Sequence, residues 1–340
     1  MIRLSVVMNN YNYARFLAES IDSAKRQLQG EDELVIVDDG SGDASHEVLQ
    51  RYEGEPGIRV VRQANQGQLA AMFNGLQAAR GDLMLLLDSD DRYLEGYLER
   101  VRAKAADHPD VDLFFSTAHL GGDGTPDQIA GMQHLLDGME LEPGPTGRTQ
   151  WATLYAGEYV GTPTSGLALR RKLIDQVLAA RDRIDDRLAI DPMACRLFGL
   201  PPESHTIQRL SGDGILVRAA GAVGGQKYYI AEPGFYYRIH GSNAFARIGR
   251  VGRIYLRLTR SRQIAKLLRT AFQSPRPSVD DVVEEARGRS RPLRRKRRLR
   301  VVVNYLYAVL RARGGPIARL RALARIPGAV SAPPHPPSKA

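Results

Sequence analysis

Cysteine is almost absent from this 340-residue chain: Cys195 stands alone. A single cysteine excludes an intrachain disulfide and any zinc site built on paired thiolates, and it fits a reducing compartment. Long apolar runs are missing too. The longest candidate, Val301 to Leu310, is broken by Asn304, and it falls far short of the ~20 apolar residues that a membrane-spanning helix needs. Met1-Ile2-Arg3 leads straight into a short strand-like run, Leu4 to Met8, which is too short for the apolar core of a secretion signal. No Gly-Lys pair occurs, which excludes a P-loop, and the dinucleotide fingerprint G-x-G-x-x-G is also absent. These absences predict a cytoplasmic protein that reads its ligands by other means.

Charge is plentiful and unevenly placed. From Ala246 to the end there are 24 Lys/Arg against 4 Asp/Glu, while residues 1–245 carry 24 against 34. An acidic body with a basic tail predicts an anionic partner for the tail. The run Arg294-Arg295-Lys296-Arg297-Arg298 alone would suit nucleic acid. It is followed by Val301, Val302, Leu306, Val309 and Leu310, with Tyr305 and Tyr307 among them. Basic residues beside an apolar face fit an amphipathic helix at an anionic membrane surface better, and make nucleic acid the weaker choice. The alternative is a helical extension packed on the acidic body.

The first 115 residues alternate apolar runs with amphipathic segments, the pattern of βαβ units. Strands are predicted at Leu4–Met8, Glu33–Val37, Ile58–Val61, Leu83–Leu87 and Val111–Phe115. Helices are predicted over Ala14–Leu28, through Val48, over Leu69–Ala79 and over Tyr93–Ala106. Residues 121–150 show little periodicity and read as a long functional loop. Residues 1–245 are expected to form the α/β body, 246–326 a basic amphipathic helical extension and 327–340 a Pro-rich disordered tail.

The chemistry gathers at strand ends. Leu83 to Leu87 is a continuous apolar run, as in a strand buried on both faces, and Asp88-Ser89-Asp90-Asp91 follows it directly. Crowded carboxylates at the carboxyl end of a parallel strand suit Mg²⁺ or Mn²⁺ shared with a diphosphate. A turn and helix N-cap is the plainer reading of the same residues. Asp38-Asp39 closes the second strand, where a carboxylate can accept hydrogen bonds from a base or ribose; Asp-Gly-Ser-Gly-Asp is also good turn chemistry. Asn9-Asn10-Tyr11-Asn12-Tyr13 follows the first strand and offers an aromatic ring for stacking on a base, or for packing on the next helix.

Taken in order, these loops, with Asn65-Gln66-Gly67, Asn74-Gly75 and Leu87-Asp88-Ser89-Asp90-Asp91, resemble the N-terminal half of family 2 glycosyltransferases. Thr164-Ser165-Gly166 with Arg170-Arg171 resembles the family's acceptor-side segment. Gly212-Asp213-Gly214 with Arg218, and Tyr237-Arg238-Ile239-His240-Gly241-Ser242-Asn243, resemble its C-terminal part. The resemblance covers residues 2–245. It implies a GT-A fold, a Rossmann-like and mostly parallel sheet flanked by helices, here followed by a basic helical C-terminal extension. It implies an inverting transfer of a sugar from a nucleotide diphosphate, a UDP-sugar first, to a hydroxyl of a glycan or lipid-linked acceptor in polysaccharide biosynthesis. Tyr11, Asp39 and Asn65 would hold the nucleotide, Asp88 the ribose or the metal's shell, and Asp90 the Mg²⁺ or Mn²⁺, with Asp91 nearby and His240 as a further ligand of metal or diphosphate. Asp213 would be the general base. Many members carry Glu-Asp where this chain has Gly212-Asp213, and Asp186 and Asp191 compete for that role. The extension would hold the enzyme at the inner face of the cell membrane. A nucleotide-binding adaptor without transferase activity, bound to membrane or nucleic acid, is the alternative.

Overall fold

The computed structural model describes residues 1–137, 141–184, 187–189, 207–209, 212–241, 250–288 and 295–331. The first half is built as its apolar alternation demands: β1 (Leu4–Asn10), α1 (Ala14–Lys25), β2 (Glu33–Asp38), α2 (Ser45–Gln50), β3 (Ile58–Arg62), α3 (Gln68–Ala78) and β4 (Leu83–Asp88). Next come β5 (Arg92–Tyr93), α4 (Tyr97–Asp107), β6 (Leu113–Gly122), α5 (Pro126–Asp137), β7 (Gly144–Pro145), α6 (Gln150–Ala156), β8 (Leu167–Arg170) and α7 (Arg171–Leu178). A separate hairpin pairs β9 (Arg187–Ala189) with β10 (Ile207–Arg209), and α8 (Gly212–Ala222) and β11 (Lys227–Ile239) complete the body.

Among the described residues the main sheet runs β3-β2-β1-β4-β8-β6-β11-β5, with β7 on β11. β1, β2, β3 and β4 pair in parallel. β8 is antiparallel to both β4 and β6, so β6 and its parallel partner β11 point the same way as the first four. The sheet is therefore mostly parallel, with β8 reversed in its middle and the two-residue strands β5 and β7 reversed against β11. In register, Asn9 lies beside Asp88 and Asn10 beside Asp38, which aligns the carboxyl ends of three strands.

Side chains alternate between the two faces of a strand, and the core divides accordingly. Leu4, Val6, Met8, Leu83, Leu85 and Leu87 join one apolar cluster; Val7, Val35, Met84 and Leu86 join the other. Gly75 of α3 lets this helix lie directly on the second face, because a Cβ there would come within 2.4 Å of Val7 Cγ1.

The second cluster continues without a break into the extension: α9 (Arg250–Ala271), α10 (Val279–Arg287), α11 (Arg295–Arg311) and α12 (Pro316–Ser331). Val301, Tyr305 and Val309, expected to form the membrane-facing stripe, are buried in this core. The physical reason is their i, i+4, i+8 spacing, which puts all three on one helical face, against α6. The Glu285 carboxylate accepts from the amides of Trp151 (3.0 Å) and Ala152 (3.3 Å), which cap α6, and from the Tyr305 hydroxyl (3.0 Å). Gly157, at φ +67°, lets the end of α6 meet α9, where a Cβ would sit 2.1 Å from the Ser261 carbonyl.

Three boundaries differ from the sequence reading. Residues 121–150 are not one loop: β6 runs to Gly122, and α5 and β7 follow. The helix expected from Tyr93 starts at Tyr97, because Tyr93 first pairs with Phe235 and Gly96 turns the chain at φ +72°. α12 runs to Ser331, beyond 326. No helix among the described residues is long and apolar enough to cross a membrane.

Candidate functional site

The run Leu83 to Leu87 buries β4 in mid-sheet and delivers Asp88, Asp90 and Asp91 to its carboxyl end. Each of the three offers a carboxylate oxygen, and these oxygens lie within 4.8 Å of one another. Two unit charges at that separation repel by roughly 3–4 kcal/mol at an effective dielectric of ~20. Burial first, and then the charge of Asp90, push the Asp88 carboxyl up to about 7. The same two causes hold Asp91 well above the usual carboxylate range. A set of hard oxygen donors that resist ionisation together fits a divalent cation.

Neighbouring elements hold the cluster in place. Asp91 accepts from Ser165 Oγ (2.6 Å) and from the Arg238 amide (2.9 Å). The Asp88 amide donates to Ser165 Oγ (3.1 Å), and Asn9 Nδ2 donates to the Asp88 carboxylate (3.2 Å). Ser165 sits in a short 3₁₀ turn, Thr164–Gly166, just before β8. The segment read as acceptor-side thus also supports the acidic loop from below. Arg238, near the end of β11, bridges the Asp90 carbonyl (2.9 Å) and Glu19 (2.6 Å).

His240 is buried, with Nε2 3.0 Å from Asp90 Oδ2 and its ring against Phe16 and Tyr13. It contacts one member of the acidic cluster and is not itself among the three residues whose ligand atoms converge. Tyr13 lies close enough that burial, then the charge of Asp90, holds its hydroxyl above its ordinary range.

The residues that the resemblance assigns to the nucleotide occupy the loops after β1, β2 and β3. Tyr11 is 47% exposed. Asp39 is buried and accepts from Gln63 Nε2 (2.7 Å), the Gln66 amide (2.8 Å) and the Gly67 amide (2.7 Å). It anchors the loop that enters α3. Asn65 is exposed in that loop. Gly40, at φ +73°, lets the loop approach, because a Cβ there would be 2.8 Å from the Asn65 nitrogen.

Asp213 lies in the first turn of α8, half-buried, with Oδ1 accepting from the Gly214 amide (2.7 Å). Its charge reaches Asp88, Tyr159 and the buried Arg218. The sequence shows no cation adjacent to Asp213; the fold brings Arg218 into its field, held by the Gly157 carbonyl (2.9 Å) and Ser261 Oγ (3.2 Å). Asp186 and Asp191 lie outside the described residues.

Gln68 is the residue that sequence reasoning missed. Its Nε2 donates to Asp88 (3.2 Å) and its Oε1 accepts from the Gly212 amide (3.0 Å), tying the acidic cluster to the helix that carries Asp213. Its place in Gln66-Gly67-Gln68, at the start of a helix, was its one signal.

Comparison with known proteins places this geometry in a family. Residues 5–177 match the model of glycosyl transferase family 2. An uncharacterized glycosyltransferase of Nostoc sp. is 32% identical over 247 residues, 71% of this chain and 66% of the relative. An undecaprenyl-phosphate 4-deoxy-4-formamido-L-arabinose transferase of Pseudomonas fluorescens is 40% identical over 93 residues, 26% of this chain and 27% of the relative. The matches therefore span just under two thirds of the first relative and about a quarter of the second. Among solved structures, S. aureus TarS in complex with UDP-GlcNAc aligns with a TM-score of 0.50 at 16% identity, covering 96% of this chain and 72% of that one. Likeness at that identity concerns the fold, which is the expected GT-A arrangement. The family model covers half of the chain and the Nostoc relative covers more, so the chain belongs to glycosyl transferase family 2.

Proposed function

We propose that this protein is an inverting glycosyltransferase that moves a sugar from a nucleotide diphosphate, a UDP-sugar first, to a hydroxyl of a glycan or lipid-linked acceptor. The observation that carries the reading is the buried Asp88, Asp90 and Asp91 cluster, joined through Gln68 to the helix bearing Asp213. In this reading the link would tie a donor-side charge site to an acceptor-side carboxylate. The UDP-GlcNAc complex of TarS supports the choice of donor, and the name of the Pseudomonas relative supports a lipid-linked acceptor.

Asp88 and Asp90, with Asp91 beside them, would hold Mg²⁺ or Mn²⁺, which when bound neutralises the charge of the leaving diphosphate. His240 belongs to this group through its hydrogen bond to Asp90. Tyr11 stacks on the base, Asp39 accepts from the base or ribose, and Asn65 closes the nucleotide from the loop. Asp213 accepts the proton of the attacking hydroxyl as it approaches the sugar from the side opposite the diphosphate. A single displacement of this kind inverts the anomeric carbon. Arg218 and Tyr159 share the field of Asp213. The basic extension would bring the acidic body to an anionic membrane on its cytoplasmic side, where a lipid-linked acceptor is found.

A screen of nucleotide sugars for release of the free nucleotide diphosphate, with and without Mn²⁺, tests the reaction class. Asp213→Asn should leave donor affinity unchanged and lower kcat by ~10²–10⁴, the range of a lost general base. Retained turnover in Asp213→Asn would move the base elsewhere, with Asp186→Asn and Asp191→Asn as the next variants.

A further inference from the structure

Of the apolar residues that the sequence pattern singles out in the extension, Leu310 alone is exposed, and the other exposed ones lie outside that set. Val301, Tyr305 and Val309 point into the core, yet Leu299, Val303 and Leu310 on the same helix are 66%, 52% and 53% exposed. At 3.6 residues per turn these two trios lie on roughly opposite sides of α11. On α12, Ile317 and Leu320 are 68% and 73% exposed, while Ala322 and Ile326 are buried. Large apolar side chains in open water are costly, and five of them stand exposed on two consecutive helices that pack against each other.

The surroundings of the patch are cationic. Arg298 and Arg300 flank Leu299, Arg313 lies in the turn between the helices, and Arg321 follows Leu320; all are exposed. Arg287 and Arg325 line an open cleft of about 530 Å³ with Ala324, Gly328 and Ala329. Ala324 and Gly328 follow Ile317 and Leu320 along one side of α12 by helical spacing. The turn is fixed to α10, with the Arg313 amide donating to the Pro277 carbonyl (2.7 Å) and the Val279 amide donating to the Arg313 carbonyl (3.1 Å). The surface is therefore already formed before any partner arrives.

We propose that this outward face of α11 and α12 seats on an anionic phospholipid surface, with the five apolar side chains entering the acyl boundary and the Arg287–Arg325 cleft taking a headgroup phosphate. This rests on the membrane reading of the extension given above and locates it. Arginines interleaved with large exposed aliphatics suit a lipid interface, which offers both an apolar layer and phosphates. Nucleic acid would use the arginines and leave the leucines in water.

The full chain, mixed at low salt with vesicles of phosphatidylcholine containing phosphatidylglycerol, should float with them and should ignore pure phosphatidylcholine. Joint replacement L299S, V303S, L310S, I317S and L320S should cut binding by at least about tenfold and leave the thermal melt and nucleotide affinity as they were, because these side chains are exposed. R287Q with R325Q should weaken binding to phosphatidylglycerol vesicles in the same direction. If the full chain binds and the serine variant binds equally well, this face is wrong while the membrane reading stands. If the full chain ignores anionic vesicles, both are overturned. A dimer of the full chain that the serine variant converts to monomer would assign the face to a second copy and overturn the proposal.

Discussion

At the carboxyl edge of the sheet, three carboxylates are packed within 4.8 Å, half-buried or buried, and each is held by hydrogen bonds from distant parts of the chain. In the C-terminal helices the arginines are spread out, and Arg298, Arg300, Arg313, Arg321 and Arg325 point into solvent. The first arrangement concentrates one charge sign at a point, where burial and mutual repulsion raise Asp88 and Asp91 above the usual carboxylate range. The second spreads the opposite sign over an area and suits a surface. Charge alone does not distinguish a site from a contact face; burial does.

The largest effect expected is on the division between body and extension. Ending the chain at residue 245 removes Ile264, Leu268, Val282, Val301, Tyr305 and Val309 from a core that they share with α6 and α8. The truncated protein should fail to give a cooperative melt. A truncated body that melts like the full chain would restore the view of the extension as a detachable anchor.

Within the site, Gln68→Ala should free the helix bearing Asp213 from the acidic cluster. Small displacements of reacting groups cost up to ~100-fold, so kcat should fall ten- to a hundredfold with donor affinity changed far less. An unchanged kcat would mean that α8 holds its place without this link.

Glu285 sharpens the contrast, because it is a carboxylate of the basic extension that turns inward like those of the site. Glu285→Ala strips acceptors from two amides of α6 and from the Tyr305 hydroxyl. Urea unfolding should show a loss of about 1–3 kcal/mol, the usual cost of leaving buried donors unpaired. No loss would leave apolar packing as the whole of the attachment.

The smallest effect concerns protons. Asp88 is raised to about 7 by burial and by Asp90, and a metal takes the ionised carboxylate. Mn²⁺ binding should therefore release protons near pH 7 and weaken by about tenfold for each pH unit below it, as calorimetry in buffers of different ionisation heat would show. The same raised pKa gives the metal-free fold a contribution that is fully present below the ordinary Asp value of 3.8 and is lost as pH rises from there to about 7. Affinity flat from pH 5 to 8 would show that Asp88 is not a ligand.

Much of this was legible in the sequence. The Leu83–Leu87 run and the acids after it depend on local alternation, and a strand end is a local feature. Tyr11, Asp39 and Asp88 were placed at strand ends in the same way. Ser165 and Gln68 were not assigned their roles, because their significance lies in contacts 74 and 144 residues away. Val301, Tyr305 and Val309 were read as part of a wider apolar face with Val302, Leu306, Tyr307 and Leu310, and the fold buries those three and exposes Leu310. The partner of the buried three, α6, lies too far along the chain for periodicity to name it, so core and membrane looked alike. α5 was missed within residues 121–150 because its glycine and polar residues obscure its repeat.

The reversed strand β8 also has a consequence in time. A strand that runs against its neighbours begins where they end, and this is how Ser165 comes to lie beneath the loop at the end of β4. The ribosome delivers the three acids by residue 91, Ser165 only 74 residues later, and Arg238 147 residues after Asp91. A nascent chain thus carries the carboxylates long before it carries their supports. Its capacity to capture a cation should appear late in synthesis, as a sign that the last strand of the sheet is in place.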